Sequence, residues 1–498
     1  MANKRVLAFD FGASSGRAML GSLENGRLQA VELHRFSNDP VVLNGTMYWD
    51  ILRLWFEIKQ SISLALQNGP IDAIGIDTWG VDFGLLDQHG DLLQNPVHYR
   101  DLRTKGIPEQ VFALVPRAEL YRRTGIQYMR INTLYQLYYL KQHRPALLAQ
   151  AQTLLPVPDL FAYFLTGVKR AEATFASTTN MLNPQTGQWD TELLQKLGIP
   201  VRLLPQIVQP GTVYGLLSDK LCDELGCPPV PVIAVCTHDT ASAVVSAPAK
   251  EDFVYISCGT WSLFGTELPQ PLITPASEAY NYTNEGGYNR TIRFLRNIMG
   301  LWLIQESRRQ WKREGQDYSF ADLERLALEA PAFRSFIDCD DPAFETAGDL
   351  PGRVRQYCEK TGQPVPQSVG EVVRCIYESL AMKYKDTFNG LKQLTGVEYE
   401  TIHMLGGGIK DTLLCSMTAD ATGATVLAGP AEATVMGNIA VQLIALGELE
   451  GLSQARQMIR ESIQLKSYLP KQPGVWDAQF QNYLRVTGQT ASGTPECR

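Results

Sequence analysis

Short apolar runs alternate with longer stretches of helical spacing along this chain, and their order sets the expected fold. Val6–Phe9 is apolar, Asp10-Phe11-Gly12-Ala13-Ser14-Ser15-Gly16 carries turn chemistry, and Arg17–Gly21 resumes as a strand. The same shape returns near the start of the second half. There Phe253–Ser257 is apolar, Cys258-Gly259-Thr260 turns, and Trp261–Phe264 continues, as a distant duplication would leave it. Between them, Ile71–Asp77 reads as a strand ending in Thr78-Trp79-Gly80, Asn132–His143 and Pro158–Leu165 as helices, and Val230–Val235 as a buried strand. The small residues Ala241–Ala247 start a helix, with Asp239 or Thr240 as its N-cap.

In the second half, Ile298–Trp311 has helical periodicity and Pro331–Pro366 reads as a loop-rich zone. Ser368 and Glu371 have capping-box spacing and open a long amphipathic helix running to about Leu394. Thr401–Leu405 is a strand, Gly406–Gly408 a loop, and Asp411–Ala421 a helix closed by Gly423. Gly429-Pro430 begins the last clear helix, and the polar tail after Thr487 reads as frayed.

The 498 residues exceed what one core holds, since single cores stop growing near roughly 250–300 residues. Two domains follow, 1–247 and 248–498, with the boundary in Ser246–Glu251. Strands alternating with helices in both halves predict an α/β protein with mixed sheets, and its ligands bind beyond strand ends, in the cleft between the halves. The net charge of −7 argues against nucleic acid and anionic membrane as partners. No run approaches the roughly 20 apolar residues of a membrane span, and only four apolar residues follow Met1–Arg5, so no signal peptide is expected. The nine cysteines are scattered, odd in number and without a CxxC pair, which reads as reduced cytoplasmic thiols. The six histidines do not cluster at metal-ligand spacing.

Five segments carry chemistry. In Asp10–Arg17, small residues let backbone N–H groups approach phosphate oxygens, Ser14 and Ser15 add hydroxyls, Arg17 adds a planar fork, and Asp10 suits hydrated Mg²⁺. Read alone, the segment is equally an ordinary hairpin turn. Ser257–Ser262 offers the same donors from the other half, so the two turns together suit a polyphosphate. Gly406–Gly408 admits a flat ring or phosphate against backbone, or is a plain tight turn; it is neither a GxGxxG nor a Walker A loop. In Cys236-Thr237-His238-Asp239-Thr240, Asp239 is a general base for phosphoryl transfer or an N-cap, and His238 a sugar ligand or a core histidine. Thr78–Phe83 offers an aromatic face, a glycine and an acid to a sugar, or is core around a turn. Asn297 and Gln305, placed on one helix side, are ligands or solvated amides, and Tyr99-Arg100-Asp101 and Gln127 are further polar candidates.

At these residues the chain resembles the FGGY carbohydrate kinases, from Asp10 to about Leu446. The matching phrases include FDFGASSGR (Phe9–Arg17), IGIDTWGVDF (Ile74–Phe83), NTLYQL (Asn132–Leu137), THDTASAV (Thr237–Val244), GTWSL (Gly259–Leu263), NEGG (Asn284–Gly287), NIMGLWLIQ (Asn297–Gln305), LGGG (Leu405–Gly408) and AGPAEATVMGNI (Ala428–Ile439). The resemblance implies an actin-like fold of two ribonuclease-H-like domains that close on ATP and Mg²⁺. It implies γ-phosphoryl transfer to O1 of a ketose; the expected location is the cytoplasm and the expected assembly a monomer or homodimer. L-Rhamnulose leads L-fuculose, ribulose and xylulose as substrate. Carried over residue by residue, Asp239 is the proton acceptor; Gly80, His238, Asp239, Thr240 and Asn297 touch sugar. Ala13, Ser14, Ser15, Gly16, Arg17, Thr260, Gln305 and Gly407 touch nucleotide, and Asp10 and Asp239 hold the metal. Family members can carry close cysteine pairs. Here Cys358 and Cys375 match one, but Thr418 and Thr422 replace another, so thiols are expected, and oxidation of Cys236 or Cys258 beside the site is expected to inhibit.

Overall fold

The computed structural model describes residues 4–250 and 252–488. Two mixed sheets, one in each half, are built to the same plan. In the first half, β1 (Arg5–Phe11), β2 (Ser15–Glu24) and β3 (Arg27–Ser37) form an antiparallel meander, followed by helix α1 (Ile51–Gln67). Strand β4 (Ala73–Thr78) lies parallel to β1, and after helix α2 (Thr133–His143) come β5 (Val213–Leu216) and β6 (Pro231–Ile233). The sheet order is β5-β6-β4-β1-β2-β3. Helix α3 (Asp239–Val245) then leads across to the second half.

The second sheet repeats the arrangement with β7 (Val254–Cys258), β8 (Trp261–Leu268), β9 (Thr283–Gly286) and β10 (Ile292–Met299) antiparallel, and β11 (Thr401–Leu405) and β12 (Thr425–Ala428) parallel to β7. The long α5 (Val369–Thr395) and α6 (Thr412–Thr422) pack on it, and helix α4 (Trp302–Arg313) packs against α5 in the same core. Helix α7 (Ala433–Ala445) follows in the chain but covers the first sheet. Its Asn438 donates to Asp77 at 2.6 Å and its Gln442 to the Leu7 carbonyl at 3.2 Å, while Val435 and Ile439 join Val6 and Ala8 in one core. Gly75 and Gly437 permit this. A Cβ on Gly75 would stand 2.7 Å from Asn438, and one on Gly437 would stand 1.8 Å from the Ser242 carbonyl oxygen of α3.

Several expectations change in the fold. Ile298–Trp311 is not one helix: Ile298 and Met299 end strand β10, Gly300 turns, and α4 starts at Trp302. The Pro331–Pro366 zone contains a helix at Leu350–Lys360, with Pro351 in its first turn and Asp349 as N-cap. The N-cap of α3 is His238, which places Asp239 at the first helical position. Gly429-Pro430 does not begin the last helix: α7 starts at Ala433, and helices Leu452–Ser462 and Pro473–Thr487 follow. The capping box at Ser368 and Glu371 forms, and α5 ends at Thr395. The tail beyond Gly488, Cys497 included, lies outside the described residues. No helix among those described is long and apolar enough to cross a membrane.

Candidate active site

Parallel strands bring their carboxyl ends together, and that alone gathers distant residues at one edge. Strands β6, β4 and β1 are neighbours, so Thr237–Asp239, Thr78–Gly80 and Phe11–Ser14 emerge side by side; the Thr78 N–H donates to the Thr237 carbonyl at 2.9 Å. In the second half β7 and β11 do the same for Cys258–Thr260 and Gly406–Gly407. All five segments line one cleft of about 280 Å³ between the halves.

Both hairpin turns therefore open onto the same space, through Gly12, Ala13 and Ser14 from one side and Gly259 and Thr260 from the other. Gly407 faces it with open room around its Cα, whereas a Cβ on Gly408 would stand 2.4 Å from the Cys258 sulfur, so that glycine serves packing. Asp239 lies in the cleft with its side chain one-third exposed, its Oδ1 accepting the Thr240 N–H at 2.6 Å. The low-dielectric walls, and then the charge of Asp10, push its carboxyl up to about 7. Asp77, opposite Asp10 in the parallel pair, is raised well above the usual range by burial and then by Asp10.

His238 is nearly buried and held neutral by burial and by the charge of Arg293, well below its ordinary value. Its Nδ1 lies 3.0 Å from Nη2 of Arg293, and its Nε2 3.4 Å from Asp239 Oδ1. Gly80 sits against it: a Cβ there would stand 3.2 Å from Nε2. Asn297 lies on strand β10 and Gln305 on helix α4, not on one helix side. The Asn297 backbone and amide donate to Gln127 Oε1 at 2.8 and 3.1 Å, and Gln127 returns a bond to the Asn297 carbonyl at 3.1 Å, tying the halves together.

The cleft brings together Ala13, Ser14, Gly80, His238, Asp239, Thr240, Thr260, Asn297 and Gly407. Other expected residues stand behind it. Gly16 packs under Phe36, where a Cβ would stand 2.2 Å from the ring. Arg17 bridges Asp10, at 2.5 Å, and Glu432, so its fork is occupied by carboxylates. Ser15 begins β2, and Gln305 accepts the Thr260 hydroxyl at 3.4 Å. Glu285 and Arg293 were missed. No local signal marked Arg293, because its strand also carries Arg296 and Asn297; it is fully buried and donates to Glu285 at 3.1 Å. The eight described cysteines are free thiols. Cys236 is fully buried with its thiol raised well above its ordinary value, and Cys258 is raised to about 12, so both are poor nucleophiles.

Two family models match the chain, the N-terminal domain of the FGGY family of carbohydrate kinases over residues 5–246 and its C-terminal domain over residues 254–446. A rhamnulokinase of Bacteroides thetaiotaomicron is 42% identical over 97% of this chain and 100% of that protein. A rhamnulokinase of Enterococcus faecalis is 44% identical over 93% of this chain and 94% of that protein. Among solved structures, a xylulose kinase of Lactobacillus acidophilus superposes with TM-score 0.80 at 20% identity, covering 97% of each chain. A Plasmodium falciparum glycerol kinase with ADP superposes with TM-score 0.76 at 15% identity, also covering 97% of each. These two likenesses concern the fold.

Proposed function

The chain belongs to the FGGY family of carbohydrate kinases, and from that membership we propose that it transfers the γ-phosphoryl group of ATP to O1 of L-rhamnulose, giving L-rhamnulose 1-phosphate and ADP. The substrate rests on the full-length similarity to rhamnulokinases. The observation that carries the reaction is the shared cleft: two glycine–hydroxyl turns, one from each half, open onto the Asp239 carboxylate.

Asp239 takes the proton of the sugar O1 hydroxyl as the O1–phosphorus bond forms and the bond to the ADP oxygen breaks. A carboxyl near 7 is matched to that task at neutral pH. His238, Thr240, Asn297 and Gly80 surround the sugar. Ala13, Ser14, Thr260 and Gly407 meet the nucleotide along backbone and hydroxyl donors, with Ser15, Gly16, Arg17 and Gln305 supporting them from behind. The chain passes between the halves at residues 246–251 and again before α7, and the halves close about these crossings to exclude water.

Mg²⁺ fits the donor set. No cluster of three or more metal-ligating side chains exists among the described residues, but Asp10 and Asp239 are close enough for one charge to shift the other. Mg²⁺ is commonly held by one or two carboxylates plus substrate phosphates, whose charge it neutralises. The reaction takes place in the cytoplasm, with which the free thiols agree. An ADP-release assay across L-rhamnulose, L-fuculose, ribulose and xylulose tests the assignment. L-Rhamnulose is expected to give the highest kcat/KM, and a higher value for any other ketose overturns the choice of sugar.

A further inference from the structure

Asp82, near the end of the Ile74–Phe83 phrase, and Thr133 and Gln136 of the Asn132–Leu137 phrase have no part in the chemistry above, yet in the fold they form one unit. After β4 the chain turns through Trp79-Gly80-Val81-Asp82. Val81 has φ 66°, and the Asp82 N–H donates to the Gly80 carbonyl at 2.9 Å. A three-residue turn with a β-branched residue at positive φ persists only where its surroundings hold it.

The surroundings here are specific. The Asp82 carboxylate is fully buried. Its Oδ2 accepts the indole N–H of Trp49 at 2.6 Å, the indole N–H of Trp79 at 3.1 Å and the Tyr99 N–H at 3.1 Å. Its Oδ1 accepts the Gln136 amide at 3.0 Å. The Thr133 hydroxyl donates to the Val81 carbonyl at 2.6 Å, and the Val81 N–H donates to the Thr178 hydroxyl at 3.3 Å. Trp49 stacks on Trp79 with ring centroids 3.8 Å apart. Trp79, Gly80, Val81, Tyr99 and Thr178 all line the cleft.

We propose that Asp82 is the positioning residue of the sugar-facing wall: by gathering four N–H donors from four separate segments it fixes the Trp79 ring and the Gly80 backbone in the orientation that admits the ketose. A sugar pocket needs an aromatic face and a close backbone already in place, because ordering them on binding costs affinity. Asp82 itself touches no substrate. The inference rests on the reading of the cleft as the ketose site.

Asp82→Asn keeps the shape but turns an amide N–H toward a donor. Gln136 cannot reverse its own amide without losing the bond its Oε1 accepts from Arg103 at 2.6 Å. In the full-length enzyme this variant is expected to raise KM for L-rhamnulose roughly tenfold, leave KM for ATP within about twofold and lower kcat less than the KM effect. Thr133→Val is expected to act in the same direction, and Thr133→Ser to restore the sugar KM. A sugar KM within about twofold of wild type in both Asp82→Asn and Thr133→Val overturns the proposal, as does an ATP KM that rises in step. Should Asp82→Asn fail to fold, the threonine pair decides alone. If the wild type phosphorylates no ketose, the reading of the cleft fails, and the wall is read on its indole. The Trp79 emission, isolated by subtracting Trp79→Phe spectra, is then expected to differ between wild type and the Asp82→Asn or Thr133→Val background, and identical emission overturns the positioning role.

Discussion

Arg293 donates to Nδ1 of His238 at 3.0 Å, and that bond decides which face of the imidazole chemistry the cleft receives. A guanidinium only donates, so Nδ1 accepts and Nε2 carries the hydrogen, pointing at Asp239 Oδ1 3.4 Å away. Arg293 is held in turn by Glu285 at 3.1 Å and by the Gly286 carbonyl at 2.8 Å. A lysine cannot serve these three acceptors from one point charge. Arg293→Lys is therefore expected to cut kcat/KM for the ketose by roughly ten- to a hundredfold, with KM for ATP unchanged. Steady-state kinetics in both substrates check it, and an unaltered ketose kcat/KM removes the arginine from this role.

Asp239→Asn removes the proposed proton acceptor and keeps the side-chain shape. Turnover is expected to fall by about 10²- to 10⁴-fold, the usual contribution of a positioned base. Ketose and ATP affinities measured calorimetrically are expected to stay within a few-fold of wild type. Near-normal turnover would exclude Asp239 as the base.

Gly80 faces His238 and Thr178, where an added Cβ would stand 3.2 and 3.4 Å from polar side-chain atoms. Its backbone does not need positive φ, so Gly80→Ala carries no conformational penalty. The methyl instead narrows the cleft beside the imidazole. The expected result is a several-fold rise in ketose KM with the thermal midpoint nearly unmoved, read by kinetics and differential scanning fluorimetry on one preparation.

His98 supplies one part of the pH dependence of stability, beside the buried His238 and His403. Its ring stacks on Trp49 at 4.0 Å, its Nδ1 accepts the Arg100 N–H at 3.0 Å, and burial followed by the Arg100 charge pushes its pKa down to about 3. The unfolded chain binds a proton near 6.5 and the native state does not, so this stability is present above that value and is lost as pH falls toward 3. Between pH 6.5 and 5 the loss comes to about 2 kcal/mol for one proton. Asn can accept the same N–H two residues on without titrating. Urea unfolding across this range should show a steeper acid decline for wild type than for His98→Asn, and parallel curves would contradict it.

What the sequence made legible follows from how local the signals were. Both glycine turns were readable because apolar runs flank them, and α5 because Ser368 and Glu371 bond each other's backbone in one turn. Asn297 was misplaced because the buried residues Phe294, Leu295, Ile298 and Met299 of a strand run straight into those of α4 across Gly300, and a merged apolar pattern looks helical. The helix at Leu350–Lys360 hid behind Pro351 and Gly352, which read as breakers but occupy its first turn. The partnership of His238 with Arg293, and that of Asp82 with Trp49 and Gln136, had no local trace. Each is made by strand order and helix docking, so only the fold could reveal it.

The packing of α3 against α7 gives the strongest prediction, because it concerns backbone. A Cβ on Gly437 would stand 1.8 Å from the Ser242 carbonyl oxygen, so no rotamer change relieves the clash and one helix must move. Helix α3 starts at Asp239, and α7 starts just after Glu432, the partner of Arg17. Gly437→Ala should therefore cost about 1–3 kcal/mol of stability, as overpacking does, and also lower kcat in the fraction that folds. Gly474 makes the control: it lies in the helix Pro473–Thr487 with open space around its Cα and no positive φ, so the same substitution there should be neutral or slightly stabilising. Denaturation midpoints and turnover of the two variants side by side check the claim. Equal behaviour of the two alanines would mean that α3 and α7 do not approach as closely as Gly437 requires.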